Sequence, residues 1–274
     1  MYIYVRVTRL ALRGRHLPSD VDEPSDWTSD TRLVRAFLPN PVEGSSPGAW
    51  PATVPAARQL LREGMELAPG VTVLVGENGS GKSTVVEMLA EAYGLSPQGG
   101  SILAPGSRLR ESEPGAGHHL LVERGAGGRA QWAYFLRADT MHSLYSYLEQ
   151  NPGRSRERFH ELSHGEGFLE ILSTRVNQRG FYLMDEPDAP LSFIASLSLV
   201  ALLHQLAAQG SQLIVATHSP VIAAVPGAHI LELGDWGFRP ARWEDLDLVH
   251  SWRGFLSNPA LYLSHLLSPE DRRA

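Results

Sequence analysis

The sequence of 274 residues contains no cysteine. Disulfides, thiolate zinc sites and a cysteine nucleophile are therefore excluded, and the composition is compatible with a reducing compartment. No uninterrupted apolar run approaches the ~20 residues that a membrane-spanning helix needs, so we expect no integral membrane segment. The first seven residues alternate as in a strand and lack the apolar core of a signal peptide, which favours a cytoplasmic location.

An excess of positive charge is also missing. The chain has 24 Lys and Arg against 30 Asp and Glu, which gives a net charge of −6. An extended surface for nucleic acid is therefore not indicated. Hydrophobic residues make up 43% and charged residues 20%, as is ordinary for a globular protein, and a chain of this length can bury a sizeable core.

Short apolar runs alternate with segments of helical periodicity, which predicts an α/β fold with a mainly parallel sheet flanked by helices. Strands are expected at 1–13, 71–75, around Leu120, at 131–137, 181–184 and 212–217, and twice within 228–242. Helices are expected at 56–66, 82–93, 141–149, 168–176 and 192–208, and once or twice within 244–267. Residues 18–55, rich in Pro, Ser, Asp and Gly, are expected to form long loops or a mobile insertion and no part of the core.

A glycine-rich run after the 71–75 strand matches the pattern Gly-x-x-x-x-Gly-Lys-[Ser/Thr] without deviation. It consists of Gly76, Glu77, Asn78, Gly79, Ser80, Gly81, Lys82, Ser83 and Thr84. Such a loop wraps phosphates with its backbone N–H groups, and the helix that follows favours negative charge at its N-terminus. Lys82 would reach the β- and γ-phosphates and the Ser83 hydroxyl would hold Mg²⁺. We therefore predict that ATP and Mg²⁺ bind here.

The apolar strand 181–184 ends in two acids, Asp185 and Glu186. Next to a phosphate-binding loop, Asp185 would bind Mg²⁺ through water or through Ser83, and Glu186 would orient or deprotonate the attacking water. Many buried strands end in an acid, so this pattern gains its meaning from the upstream glycine loop.

The run 162–167, Leu-Ser-His-Gly-Glu-Gly, has two interpretations. Ser163 and Glu166 form a capping box that starts a helix without any ligand. Alternatively, Ser163, the Gly165 amide and the helix N-terminus point at a phosphate. The run lies 22 residues before Asp185 and resembles the signature sequence of ATP-binding-cassette (ABC) ATPases. In that family, whose usual form is Leu-Ser-Gly-Gly-Gln, it binds the γ-phosphate of ATP held by the other subunit.

Two more segments resemble the same family. Residues 188–192 lie where ABC ATPases have the D-loop, and His218 lies where they have the switch histidine that bonds the γ-phosphate. A Q-loop glutamine is missing from 135–140. The resemblance covers about residues 71–218 and extends more loosely to 267. It is strongest to the small stand-alone bacterial "predicted ATPase" proteins, which are ABC-like and carry Ser-His-Gly-Glu, Asp-Glu-Pro and Thr-His-Ser-Pro runs.

The resemblance implies one ABC-type ATPase domain over 1–274, with an antiparallel N-terminal β part. Its core lobe would comprise 1–135 and 177–243, its helical lobe 138–176, and its C-terminal helices 244–267. It also implies an ATP-dependent homodimer in which Glu186 positions water, Lys82 and His218 hold the γ-phosphate, and Ser163, Gly165 and Glu166 close on the partner's ATP.

Several uses of such an ATPase remain open. The Asp-Glu-Pro-Asp and Thr-His-Ser-Pro runs favour a soluble switch acting on a protein or nucleic-acid client, in repair or defence. A transporter's nucleotide-binding subunit is the alternative, and it would need a membrane partner. A small-molecule kinase would not need the 162–167 run together with His218. An ATP-gated binding module with negligible turnover is disfavoured by Glu186. About 80 residues separate Lys82 from Ser163, too few for a long coiled-coil arm.

The tryptophans give weaker indications. Trp50 lies upstream of the glycine loop, at a position where transporter ATPases have an aromatic residue against adenine, but packing in a loop explains it equally well. Four other tryptophans are expected to be packing residues: Trp132, Trp236, Trp243 and Trp252.

Overall fold

The computed structural model describes residues 30–42, 48–101, 115–127, 130, 132–137, 172 and 176–266. The expected strand at 1–13, the expected helix at 141–149 and most of the expected helix at 168–176 lie outside these ranges, as does most of the expected helical lobe.

The described residues form two sheets and five α-helices. The strands are β1 Val34–Pro39, β2 Met65–Glu66, β3 Val71–Val75, β4 Gly100–Ser101, β5 Leu120–Arg124, β6 Ala133–Arg137, β7 Phe181–Asp185, β8 Gln212–Thr217, β9 His229–Gly234 and β10 Gly237–Ala241. The helices, numbered in order along the described chain, are α1 Pro55–Glu63, α2 Lys82–Tyr93, α3 Phe193–Ala208, α4 Asp247–Ser257 and α5 Pro259–Leu266. Single 3-10 turns lie at Ala116–His119, Ile222–Ala224 and Trp243–Asp245.

The larger sheet has seven strands in the order β10-β9-β3-β8-β7-β6-β4. Its five central strands run parallel, and β10 and β4 pair antiparallel at the two edges. This confirms the predicted α/β class with a mainly parallel sheet. Because the central strands are parallel, the carboxyl ends of β9, β3, β8, β7 and β6 all lie at the same edge of the sheet.

The core lies on both faces of this sheet. Along β3, Leu74 packs into a cluster with α1, α2 and the smaller sheet, whereas Val73 and Val75 pack into a second cluster with α3 and α4. This division follows from the alternation of side chains along a strand. A strand with both faces buried needs a continuous apolar run, which is what β3 has.

The smaller sheet, β2-β1-β5, is antiparallel, in agreement with the predicted antiparallel N-terminal β part. It also corrects the expectation that 18–55 forms only loops, since β1 lies inside that range. The Pro and Gly residues around β1 obscured a short alternating segment that pairs with both neighbours. The expected helix 56–66 ends earlier, at Glu63, because Gly64 has φ +75° and terminates it.

One buried side chain connects the two sheets. At the start of β8, Gln212 Oε1 accepts hydrogen bonds from the backbone N–H groups of Leu33 and Val34, both at 2.8 Å. Its Nε2 donates to the carbonyls of Val34 at 2.8 Å and Ala68 at 3.0 Å. The amide therefore satisfies four backbone groups that would otherwise be buried without partners. Within the described ranges, no helix is long and apolar enough to cross a membrane.

Candidate functional site

The glycine loop, the two acids and the histidine meet at the carboxyl edge of the parallel sheet. Strands β3, β8 and β7 are adjacent in the sheet order. The loop from Gly76 follows β3, His218 follows β8, and Asp185 ends β7 with Glu186 next to it. The site predicted from separate sequence motifs is therefore brought together by sheet topology, at the edge where α/β proteins bind ligands.

The backbone of the glycine loop needs its glycines at specific points. Gly81 has φ +94° and caps α2, and a Cβ there would lie 2.4 Å from the Val54 side chain. At Gly76, a Cβ would lie 2.6 Å from the carbonyl of Leu233. Among the described residues, the buried hydroxyl of Ser80 has no hydrogen-bond partner. An orphaned hydroxyl in a loop at a helix N-terminus fits the binding of an anion there.

Lys82 is buried within the loop, with 4% of its surface exposed. Its Nζ donates to the carbonyls of Gly76 at 2.7 Å and Glu77 at 2.9 Å. Burial lowers the pKa of Lys82, while the nearby charges of Glu186 and Asp185 oppose that shift. A buried ammonium whose hydrogen bonds go to neutral carbonyls would gain a direct Coulombic attraction from a phosphate oxygen, because that oxygen carries a negative charge.

Ser83 and Asp185 are in contact. The Ser83 hydroxyl donates to Asp185 Oδ1 at 3.1 Å. Burial raises the pKa of the Asp185 carboxyl, and the Ser83 hydrogen bond partly offsets the rise. A hydroxyl beside a carboxylate suits Mg²⁺, which takes few protein ligands and completes its shell with water and substrate phosphates. In the described part of the chain, no group of three or more His, Asp or Glu could hold a metal ion by itself.

Glu186 and His218 form the second contact. His218 Nδ1 lies 3.3 Å from Glu186 Oε1, and both side chains are partly exposed. Glu186 has φ +50°, while its N–H still donates to the carbonyl of Ala216 at 2.9 Å. Positive φ is uncommon for a residue other than glycine, and such residues concentrate at functional sites. Here it turns the chain at the end of β7 so that the carboxylate faces the end of β8.

A contact between Thr217 and Asp188 was not predicted from the sequence. The hydroxyl of Thr217, which is fully buried, donates to Asp188 Oδ1 at 2.7 Å and accepts from the Ser219 N–H at 2.9 Å. It therefore connects the loop after β7 to the residues on both sides of His218. Burial raises the pKa of Asp188, against the opposing effect of the Thr217 hydrogen bond. The hint in the sequence is a threonine directly before a strand-end histidine.

A cavity of about 820 Å³ opens beside the glycine loop. It is lined by residues 76–80 and His218, by the β9–β10 turn with Trp236, and by α4 with Trp252. These two tryptophans are half exposed, at 50% and 48%, so the expectation that both are packing residues was wrong. Trp236 lies on a turn and Trp252 on a helix face. Whether these positions are covered depends on tertiary packing around the cavity, which the neighbouring residues in the sequence do not determine.

The other aromatic predictions differ in outcome. Trp132 and Trp243 pack against the core, as expected. Trp50 is 62% exposed and does not line the cavity. Residues Ser163, Gly165 and Glu166 lie outside the described ranges, so their predicted contact with a phosphate stays a prediction.

The sequence matches the family described as "ABC transporter" over residues 65–189. That range contains the glycine loop, the 162–167 run and the two acids. A Streptomyces coelicolor protein named as an ABC transporter ATP-binding protein is 28% identical over 249 residues, which cover 79% of this chain and 43% of that protein. A ribose import ATP-binding protein of Burkholderia cenocepacia is 29% identical, covering 67% of this chain and 39% of the relative.

A cytochrome c biogenesis ATP-binding export protein of Rhizobium etli is 29% identical, covering 54% of this chain and 75% of the relative. The chain thus spans less than half the length of the first two relatives. A solved structure, described as an inward-facing metal-chelate type ABC transporter, aligns with a TM-score of 0.46 at 16% identity, covering 82% of this chain and 89% of that chain. The family match and the relatives support an ABC-type P-loop ATPase, a family whose general activity is ATP hydrolysis.

Proposed function

We propose that this chain binds MgATP at the edge formed by β3, β8 and β7, hydrolyses it, and works as a pair of copies that ATP draws together. The observation that carries the proposal is the convergence of three contacts at one edge. They are Lys82 within the glycine loop, Ser83 against Asp185, and Glu186 against His218.

Each residue has a defined task in this mechanism. Lys82 exchanges its two carbonyl partners for oxygens of the β- and γ-phosphates. Ser83 and Asp185 would hold Mg²⁺, which offsets charge on the phosphates when bound. Glu186 leaves His218, orients a water and accepts its proton while the water oxygen attacks the γ-phosphorus in line and the bond to ADP breaks. His218 is then free to donate a hydrogen bond to the transferred phosphoryl group.

A second copy supplies the remaining parts in this proposal. Ser163, Gly165 and Glu166 of that copy would close on the γ-phosphate, as the resemblance of the 162–167 run implies. Hydrolysis removes the bridging phosphate, and the two copies separate. ATP would thereby control an association between proteins, which is the property of a switch.

Two kinds of client are compatible with such a switch. We favour a protein or nucleic-acid client, because Asp-Glu-Pro-Asp and Thr-His-Ser-Pro resemble the branch of the family outside the transporters. A transporter's nucleotide-binding subunit is the second candidate, and the names of the relatives fit it at least as well. Capture with the ATP-trapped protein separates them: a permease in the bound fraction supports the second candidate, and a soluble protein or nucleic acid supports the first.

The first experiment is Glu186→Gln, which keeps the size of the side chain and removes its basicity. We expect turnover to fall at least about a hundredfold, equivalent to about 2.7 kcal/mol of barrier, with MgATP shifting the mass in solution from monomer to dimer. The measurements are phosphate release and light scattering after size exclusion. A variant that stays monomeric with saturating MgATP and still hydrolyses it would refute the proposed mechanism.

A further inference from the structure

Two exposed apolar patches flank the candidate site on the same sheet edge. The helix-start patch consists of Phe193, Ile194 and Leu197, exposed by 65%, 69% and 45% in the first turns of α3. Their spacing puts them on one face of the helix, opposite the buried Leu199 and Leu203. The second patch is the pair of cavity-wall tryptophans, Trp236 and Trp252. Exposed apolar patches of this kind mark interaction sites.

The cavity wall is held in a fixed position. The Trp236 indole N–H donates to the carbonyl of Glu232 at 3.4 Å, and the Arg239 guanidinium lies 4.2 Å from the centre of the ring. Glu232 accepts from Arg239 at 2.7 Å through Oε2 and from the Asp247 N–H at 3.2 Å through Oε1. The hairpin is thereby tied to the start of α4. An aromatic wall that is already ordered loses little entropy when another surface covers it.

The helix-start patch is similarly fixed. Ser192 caps α3, its hydroxyl accepting from the Ala195 N–H at 3.3 Å. The cap fixes where the helix begins, directly after the loop that contains Asp188. Phe193 and Ile194 are therefore presented by a defined first turn.

Sheet order determines how the two patches can meet. Along the carboxyl edge the order is β9, β3, β8, β7, so Trp236 follows the first of these strands and the helix-start patch follows the last. With strands ~4.8 Å apart, three intervals separate the ends of β9 and β7 by roughly 14 Å. A two-fold axis that is perpendicular to the sheet and passes through the middle of this edge places the β7 end of each copy opposite the β9 end of the other. Both patches then meet in trans, twice per pair of copies.

We propose that, in the ATP-bound pair of copies proposed above, Phe193 and Ile194 of one copy insert between Trp236 and Trp252 of the other. We call this contact the apolar clamp. It rests on the proposed function, which supplies the ATP-dependent dimer, and it adds which residues make the contact between the two copies. It also covers the open side of the cavity beside the glycine loop, so the second copy excludes water from the site.

The size of the clamp explains why pairing would need ATP. A large buried side chain covers about 150–250 Å², so the exposed parts of Phe193, Ile194, Trp236 and Trp252 amount to roughly 450 Å² per copy. Two-fold symmetry doubles this to roughly 900 Å², whereas a stable interface buries about 1,200–2,000 Å². The clamp is thus too small to hold two copies alone, and contacts through the nucleotide would supply the rest.

The test uses the Glu186→Gln protein, in which the pair is trapped. Phe193→Ala and Trp252→Ala are each expected to raise the dimer dissociation constant with MgATP at least about tenfold. Leu121→Ala, on the smaller sheet and 45% exposed, and Leu261→Ala, on α5 and 55% exposed, are matched controls that should change nothing. Binding of a fluorescent ATP analogue to the monomer, at concentrations below dimerisation, should stay unchanged in Phe193→Ala, Leu121→Ala and Leu261→Ala.

Mixed dimers test the trans geometry directly. A dimer of one Phe193→Ala copy and one Trp252→Ala copy has one intact clamp and one doubly truncated clamp, whereas each homodimer has two half-truncated clamps. Because contacting residues are non-additive, native mass spectrometry of the mixture should show more heterodimer than the statistical half.

The outcomes are distinguishable. A parent Glu186→Gln protein that stays monomeric with MgATP refutes the proposed pairing, and the clamp with it. A parent that dimerises while the Phe193→Ala and Trp252→Ala variants dimerise equally well refutes only the clamp. A statistical share of heterodimer also refutes it, as does an equal loss in the Leu121→Ala and Leu261→Ala controls.

Discussion

Thr217→Val tests whether the buried hydroxyl before His218 supports catalysis. Valine has the same shape, so the change removes the hydroxyl without opening a cavity. Two hydrogen bonds are lost, one to the Asp188 carboxylate at 2.7 Å and one from the Ser219 N–H at 2.9 Å. A hydrogen bond to a charged group contributes about 1.5–3 kcal/mol and a neutral one about 0.5–1.5 kcal/mol. We therefore expect a destabilisation of about 2–4 kcal/mol.

The effect on turnover should exceed the effect on nucleotide binding. His218 lies between Thr217 and Ser219, whose mutual hydrogen bond is lost, whereas the glycine loop extends from a different strand. We expect kcat to fall about tenfold or more while the affinity for an ATP analogue changes less than about threefold. Urea unfolding, steady-state phosphate release and fluorescence titration measure the three quantities. Thr217→Ser keeps the hydroxyl and should recover most of the turnover.

The pH dependence of this stability loss follows from Asp188. Burial holds the folded pKa of Asp188 above its usual range, so the ionised form is disfavoured in the folded state. This penalty is relieved as the pH falls through the folded pKa. Without the hydrogen bond from the Thr217 hydroxyl, the ionised Asp188 carboxylate is destabilised further at neutral pH. The stability difference between wild type and Thr217→Val should therefore shrink on acidification. A difference that is constant with pH, or a variant as stable as wild type with unchanged kcat, would refute this reasoning.

Three further predictions concern the loop and the link between the sheets. Lys82→Met should weaken binding of an ATP analogue at least about tenfold with an unchanged circular dichroism spectrum, because the main cation of the loop is lost; unchanged affinity would argue against phosphate binding there. Gln212→Leu should lower the free energy of unfolding by about 3–5 kcal/mol in urea, because four buried backbone groups lose their partner; a loss below about 1 kcal/mol would mean that water replaces the amide. Gly81→Ala should abolish nucleotide binding, because its Cβ would lie 2.4 Å from Val54, whereas Gly79→Ala, with φ +84° and open space, should cost only about 1 kcal/mol; equal effects would contradict the steric argument.

Local patterns were enough to predict the centre of the fold. The β-branched run of β3 predicted a strand, the glycine spacing predicted a loop, and the apolar face after it predicted a helix. The helix 82–93 is confirmed at both ends. The strand 212–217 is likewise confirmed at both ends. These elements can be predicted from a few neighbouring residues. A strand buried on both faces needs a continuous apolar run, and a helix buried on one side needs apolar residues at helical spacing.

Features that depend on tertiary pairing were missed. β1 is short, lies among Pro and Ser residues, and is stabilised by β5 and by Gln212, which is 178 residues away from Val34. The positive φ of Glu186 and the bond from Thr217 to Asp188 arise only because β7 and β8 end side by side. No pattern of neighbouring residues contains that information, so these details needed the structure.

The most direct measurement of the central claim is the dependence of turnover on protein concentration. If each site is completed by a second copy, phosphate release at saturating MgATP should rise with the square of protein concentration below the dimer dissociation constant. The rate per molecule should then reach a plateau above it. A rate strictly proportional to protein concentration across the whole range, in a preparation shown to be monomeric, would contradict the account.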